Sequence, residues 1–133
     1  MTPLQLTHFT ATSCLGRGLS ATRQALEQAR CGLTACQFET VELPTYIGEV
    51  AGIEDIALPP KLQRFNCRNN RLAQLGLMQD DFHSAVRSAV ARFGPRRIGV
   101  YLGTSTSGIL TTEMAYRHRD ALTGALAADF DYA

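Results

Sequence analysis

The sequence predicts an α/β fold of layered helices and strands, and three observations carry that expectation. Leu75, Met78, Phe82, Val86, Ala89 and Phe93 recur at three- and four-residue steps, which is one face of a helix. Directly after it comes "IGVYLG" (98–103), a short run with no polar face, as in a strand covered on both sides. A second helical stretch, "ILTTEMAYR", follows within a few residues, so a buried strand is flanked by helices.

In chain order, "LQLTHFTATSC" (4–14) alternates weakly and is rich in Thr and Phe, which predicts an opening strand with His8 packed inside it. "LGRG" turns the chain, and Ser20 is a suitable N-cap for a helix reaching about Arg30, with Gly32 as its stop. Leu19, Ala25, Leu26 and Ala29 form its narrow apolar stripe. "FETVEL" and "YIGEV" read as short strands on either side of Pro44. Pro59 and Pro60 make "DIALPPK" a connector. The long amphipathic helix allows a bend or break at Gly76 or at Asp80-Asp81, and stops at Gly94-Pro95 with Arg92 in its last turn. Glu113 and Arg117 are an i,i+4 pair on the last helix, where His118 faces solvent, as His83 does on the preceding one.

Composition is that of an ordinary soluble domain: 133 residues, 45% hydrophobic and 19% charged. No run resembles a membrane span or a signal peptide, which makes a cytoplasmic location the expectation. Cys14, Cys31, Cys36 and Cys67 contain no C-x-x-C pair and read as small buried residues; the three histidines lack metal-ligand spacing, so no metal or cofactor is expected. The net charge of +1 conceals a gradient. Residues 1–60 carry −3, residues 61–97 carry +6 and the remainder carries −2. A local basic stretch in a near-neutral chain fits an acidic partner better than general nucleic-acid binding, although a solvated helix face has the same composition.

The hydroxyl-rich "GTSTSG" (103–108) is the one chemical stretch. A phosphate-binding P-loop would need a lysine where Ile109 stands. A nucleophile elbow centred on Ser105 would need glycine where Ser107 stands. Its partners, His118 and Asp120, would lie on the very next helix. The third reading makes Thr104, Ser105, Thr106 and Ser107 the lining of a substrate pocket at the carboxyl end of a strand; a plain turn in which Ser107 caps the following helix accounts for one of the four and leaves three unexplained.

The order of "CLGRG", "SATRQALEQARCGL", "KLQRFNCRNNRLAQLGL", "RRIGVYLGTSTSGI" and "LTTEMAYRHRD" resembles the N-terminal portion of a β-ketoacyl-acyl-carrier-protein synthase, a condensing enzyme of the thiolase fold. "LGTSTSGILTTEMAYR" is most similar to synthases of the bacterial aryl polyene type. The resemblance covers nearly all of the chain and implies a layered thiolase-like α/β fold of which residues 1–133 are the N-terminal part. It implies condensation of an acyl thioester with malonyl-acyl-carrier-protein, a cysteine nucleophile and two histidines lying beyond Ala133, and a segment inactive by itself. None of the four cysteines here has the family's nucleophile context. The resemblance also places Thr106 at the gate of the acyl pocket, and Lys61 and Arg64, with Arg68 as a third, against the acidic acyl carrier protein. The expected assembly is a homodimer, or a heterodimer with a related subunit, without nucleic acid or membrane. Three rivals remain: a non-catalytic chain-length-factor subunit of the same fold, a serine hydrolase fragment using Ser105, and a bare carrier-binding module.

Overall fold

In the computed structural model, residues 3–38, 42–104 and 108–128 are described. They hold helices and two small antiparallel sheets of two strands each. The architecture is therefore mixed α and β, without a layered central sheet among the described residues.

The first sheet is the hairpin of β1 (Thr12–Ser13) and β2 (Gly16–Arg17). The opening strand expected over 4–14 shrinks to these two residues. Leu4, Leu6, Phe9 and His8 are exposed before it, so His8 does not pack inside a strand. Helix α1 (Gly18–Glu27) starts three residues earlier than an N-cap at Ser20 would place it, and Ser20 lies inside its first turn. Its cap comes from far along the chain. The Asp80 carboxylate accepts hydrogen bonds from the Leu19 N–H at 3.0 and 3.1 Å and from the Thr10 hydroxyl at 2.7 Å. A carboxylate at a helix N-terminus satisfies an otherwise orphaned donor and complements the helix dipole.

Gly32 is not the stop of α1, because the helix ends at Glu27 and the chain turns through Ala29 in the left-handed region, φ 49°. Gly32 instead permits close packing. A Cβ there would fall 2.4 Å from the Cys14 carbonyl oxygen, and one at Gly48 would fall 2.8 Å from Cys14 Sγ. These two glycines let the second sheet, β3 (Leu33–Ala35) with β4 (Tyr46–Gly48), lie against the first turn. The strand expected in "YIGEV" is thus present. β3 was not foreseen, and of "FETVEL" the residues 39–41 lie outside the described residues while Glu42 and Leu43 are in no strand.

The connector expected through "DIALPPK" ends early, because Pro60 and Lys61 already open a 3-10 helix, Pro60–Phe65; α2 (Arg68–Leu77) and α3 (Phe82–Phe93) follow. The amphipathic stretch breaks at Asp80 and Asp81, both left-handed at φ 54° and 55°. Aspartate tolerates that region better than most side chains. Gly94, at φ 83°, and Pro95 end α3 as expected, with Arg92 in the last turn. Helix α4 (Ile109–Arg117) is the last helix among the described residues.

Burial is sparse. The buried apolar residues among those described are Ala25, Ile53, Leu58 and Leu75. The cysteines expected in a core are partly exposed at positions 14, 36 and 67, and exposed at 31. The largest departure is 98–103. It forms no strand, and Val100, Tyr101 and Leu102 are 85%, 98% and 84% exposed. A wholly apolar strand gains its stability from cover on both faces, and no described segment supplies that cover. The chain exposes 11361 Å², against about 6,900 Å² for a compact monomer of 14.5 kDa. No helix among the described residues is long and apolar enough to cross a membrane.

Candidate functional site

The basic stretch is built on the 3-10 helix and the start of α2. Pro60 occupies its first turn, where a missing N–H costs nothing, and the Leu62 N–H donates to the Pro59 carbonyl at 2.8 Å. A 3-10 helix has three residues per turn, so Lys61 and Arg64 fall on one edge. Both are exposed, and among the described residues neither is held in an ion pair. The Arg64 guanidinium lies 4.5 Å from the centroid of the Phe65 ring, a cation–π contact that fixes the charge at the end of the helix.

Arg68 differs from these two. It is the first residue of α2 and its Nε meets Glu54 Oε1 at 2.9 Å, while Arg71 Nη1 meets Glu54 Oε2 at 2.5 Å. One carboxylate thus serves two guanidiniums, and the trio keeps a net charge of +1. Arg68 is half-exposed and still able to face a partner, but it is pre-positioned rather than free. Glu54 escaped the sequence reading because it lies outside the +6 stretch and belongs to a loop with no motif.

Behind the basic edge, the 3-10 helix and α2 enclose an apolar cleft of 280 Å³ lined by Leu58, Leu62, Phe65, Ala73 and Leu77, with Asn70 and Gln74 beside them. One side-chain amide ties α2 to the 3-10 helix, and a second ties the 3-10 helix to the connector before it. Asn70 Nδ2 donates to the Phe65 carbonyl at 2.7 Å, and Gln63 Nε2 donates to the Leu58 carbonyl at 2.5 Å. Those bonds satisfy main-chain acceptors at both ends of the cleft, leaving its lining chiefly apolar.

The hydroxyl loop is placed only in part. Thr104 is exposed at the end of the 98–104 segment, while Ser105, Thr106 and Ser107 lie outside the described residues. The expected strand end that would present them is absent, because 98–103 has no sheet partner among the described residues. The cap position of α4 is taken by Gly108, left-handed at φ 69°, rather than by Ser107. Glu113 and Arg117 form the expected surface pair at 2.5 Å. His83 and His118 are exposed, and His118 Nδ1 lies 2.8 Å from the Met114 carbonyl. Among the described residues no group of three His, Cys, Asp or Glu side chains is arranged to hold a metal ion. Lys61, Arg64 and Arg68 therefore lie along consecutive elements beside a cleft, and the hydroxyl loop is a separate feature.

Compared with known proteins, the chain matches no family model, no curated protein and no solved structure.

Proposed function

We propose that this chain is the N-terminal part of a β-ketoacyl-acyl-carrier-protein synthase, and that Lys61, Arg64 and Arg68 are where it meets the acidic carrier protein. The observation that carries the reading is the edge of the 3-10 helix. Two exposed cations one turn apart, without an ion-pair partner among the described residues, are followed by a third held in place by Glu54. The order of segments along the sequence supports the family, and the excess of exposed apolar surface supports residues that belong to a larger packed body. On this reading the carrier delivers acyl and malonyl thioesters. The acyl group moves to a cysteine outside these residues, and loss of carbon dioxide from the malonyl thioester drives carbon–carbon bond formation. Thr104, Ser105, Thr106 and Ser107 contribute hydroxyls to the acyl pocket, with Thr106 at its mouth.

The test is a binding titration of the chain against a purified bacterial acyl carrier protein. Charged contacts at an interface raise the association rate and depend on salt. The double change Lys61→Glu with Arg64→Glu is expected to weaken binding at least tenfold at low ionic strength and to remove most of its salt dependence. A variant that binds as tightly as the parent rejects the carrier-docking reading.

A further inference from the structure

We propose that the cavity where the β3–β4 pair meets the start of α2 is a binding site for a small zwitterion of the amino-acid class. The inference goes beyond the proposed function and does not depend on it. The cavity has a volume of 360 Å³ and is lined by Gly32, Thr34, Glu49, Val50, Ala51 and Arg68. It holds one cation and one carboxylate, Arg68 and Glu49, and the two form no ion pair with each other. Opposite charges that line one cavity without meeting leave a gap, which a ligand charged at both ends can span. Among the described residues Glu49 has no ion-pair partner and the Thr34 hydroxyl has no hydrogen-bond partner. Arg68 is held instead, because its Nε meets Glu54 Oε1 at 2.9 Å. That contact anchors one edge of the guanidinium, and the group has further donors in a fixed fork that matches a carboxylate.

The charges select the ligand. The Arg68–Glu54–Arg71 trio carries +1 and Glu49 carries −1. Beside the cavity, Arg17 and Asp55 cancel each other at Gly52, where a Cβ would lie 2.9 Å from Arg17 Nη1 and 3.8 Å from Asp55 Oδ2. A lone anion would therefore be repelled by Glu49 and a lone cation by Arg68, whereas an amino acid gives each its counter-charge. The lining has no aromatic ring and Val50 as its one branched apolar side chain, so an apolar ligand would gain little there.

The test titrates glycine, β-alanine and 4-aminobutyrate, zwitterions of increasing charge separation, into the isotope-labelled chain, with acetate and methylammonium as the separate halves. At least one zwitterion is expected to shift the Thr34, Val50 and Ala51 amides in NMR spectra. It should bind about tenfold more tightly than either half, since each end adds a charge-assisted hydrogen bond. Glu49→Gln and Arg68→Gln are each expected to weaken that binding about tenfold, with circular dichroism checking that the helices remain. Arg68→Gln also touches the Glu54 bridge, whereas Glu49→Gln removes no ion pair of the fold, so the second variant decides the matter if the first loses structure. Acetate binding as tightly as the zwitterions would make this a plain anion site and overturn the inference. So would zwitterion binding indifferent to Glu49→Gln, or no shift of these amides with any of the three.

Discussion

Residues 12–77 and residues 98–128 are both rich in apolar side chains, yet among the described residues only the first region buries any of them. Ala25, Ile53, Leu58 and Leu75 all lie there, whereas Val100, Tyr101 and Leu102 are almost fully in water. The difference is not hydrophobicity but how far away the partners are. In the first region each strand pairs with the strand that follows it in sequence, and α1 starts directly after the first pair. The 98–103 run pairs with no strand among the described residues, and its missing polar face requires two covering layers at once. Apolar content is thus a necessary condition for a buried strand, and available cover decides whether it forms.

The sharpest way to break this comparison is a matched pair of truncations. Leu75 is 3% exposed, so Leu75→Ala is expected to cost roughly 2–3 kcal/mol in chemical denaturation. Leu102→Ala removes the same atoms from an exposed site and is expected to change stability by less than about 0.5 kcal/mol. Equal losses at the two positions would mean that 98–103 is covered in solution, and the contrast between the regions would disappear.

Asp80 tests whether the first region depends on its long-range cap. Asp80→Ala removes the acceptor for the Leu19 N–H and the Thr10 hydroxyl and is expected to cost about 0.5–2 kcal/mol. Asp80→Asn keeps an oxygen acceptor and some tolerance of the left-handed backbone at φ 54°, so it should lose less. Amide exchange at Leu19 reads the cap directly. Protection there that survives Asp80→Ala would show that the carboxylate is not what holds the start of α1.

Features set by nearby residues were legible in the sequence. The Gly94-Pro95 stop, the break at Asp80-Asp81 and the strand within "YIGEV" follow from turn chemistry and periodicity over a few residues. Features set by tertiary approach were not. Ser20 looked like the cap of α1 because nothing in its vicinity points to Asp80, and Gly32 looked like a helix stop because only the fold reveals Cys14 against it. The site divides in the same way. The charge map finds Lys61 and Arg64, and the 3-10 helix then aligns them, but the Glu54 bridge and the cleft behind them require the folded chain. The hydroxyl run was the most conspicuous motif, and Ser105, Thr106 and Ser107 lie outside the described residues.

The smallest expected effect belongs to the second region, whose order is local. Asp120 Oδ1 accepts the Thr123 N–H at 2.6 Å, the Thr123 hydroxyl at 2.8 Å and the Leu122 N–H at 3.0 Å. These donors favour the ionised form, the Thr123 main chain most, and hold the Asp120 carboxyl below its ordinary value. The sign follows from linkage. A carboxyl with a depressed folded value stabilises the turn fully above its unfolded value, and that contribution fades as pH falls through the folded one. The Thr123 amide shift, followed by NMR from neutral pH downward, is therefore expected to titrate below the usual aspartate range. Thr123→Ala removes the hydroxyl donor but keeps the main-chain ones, so it should move the midpoint part of the way back upward. A midpoint already at the ordinary value in the parent would show that the turn is not formed in solution. The second region would then lack even this local order, and the contrast with residues 12–77 would be sharper.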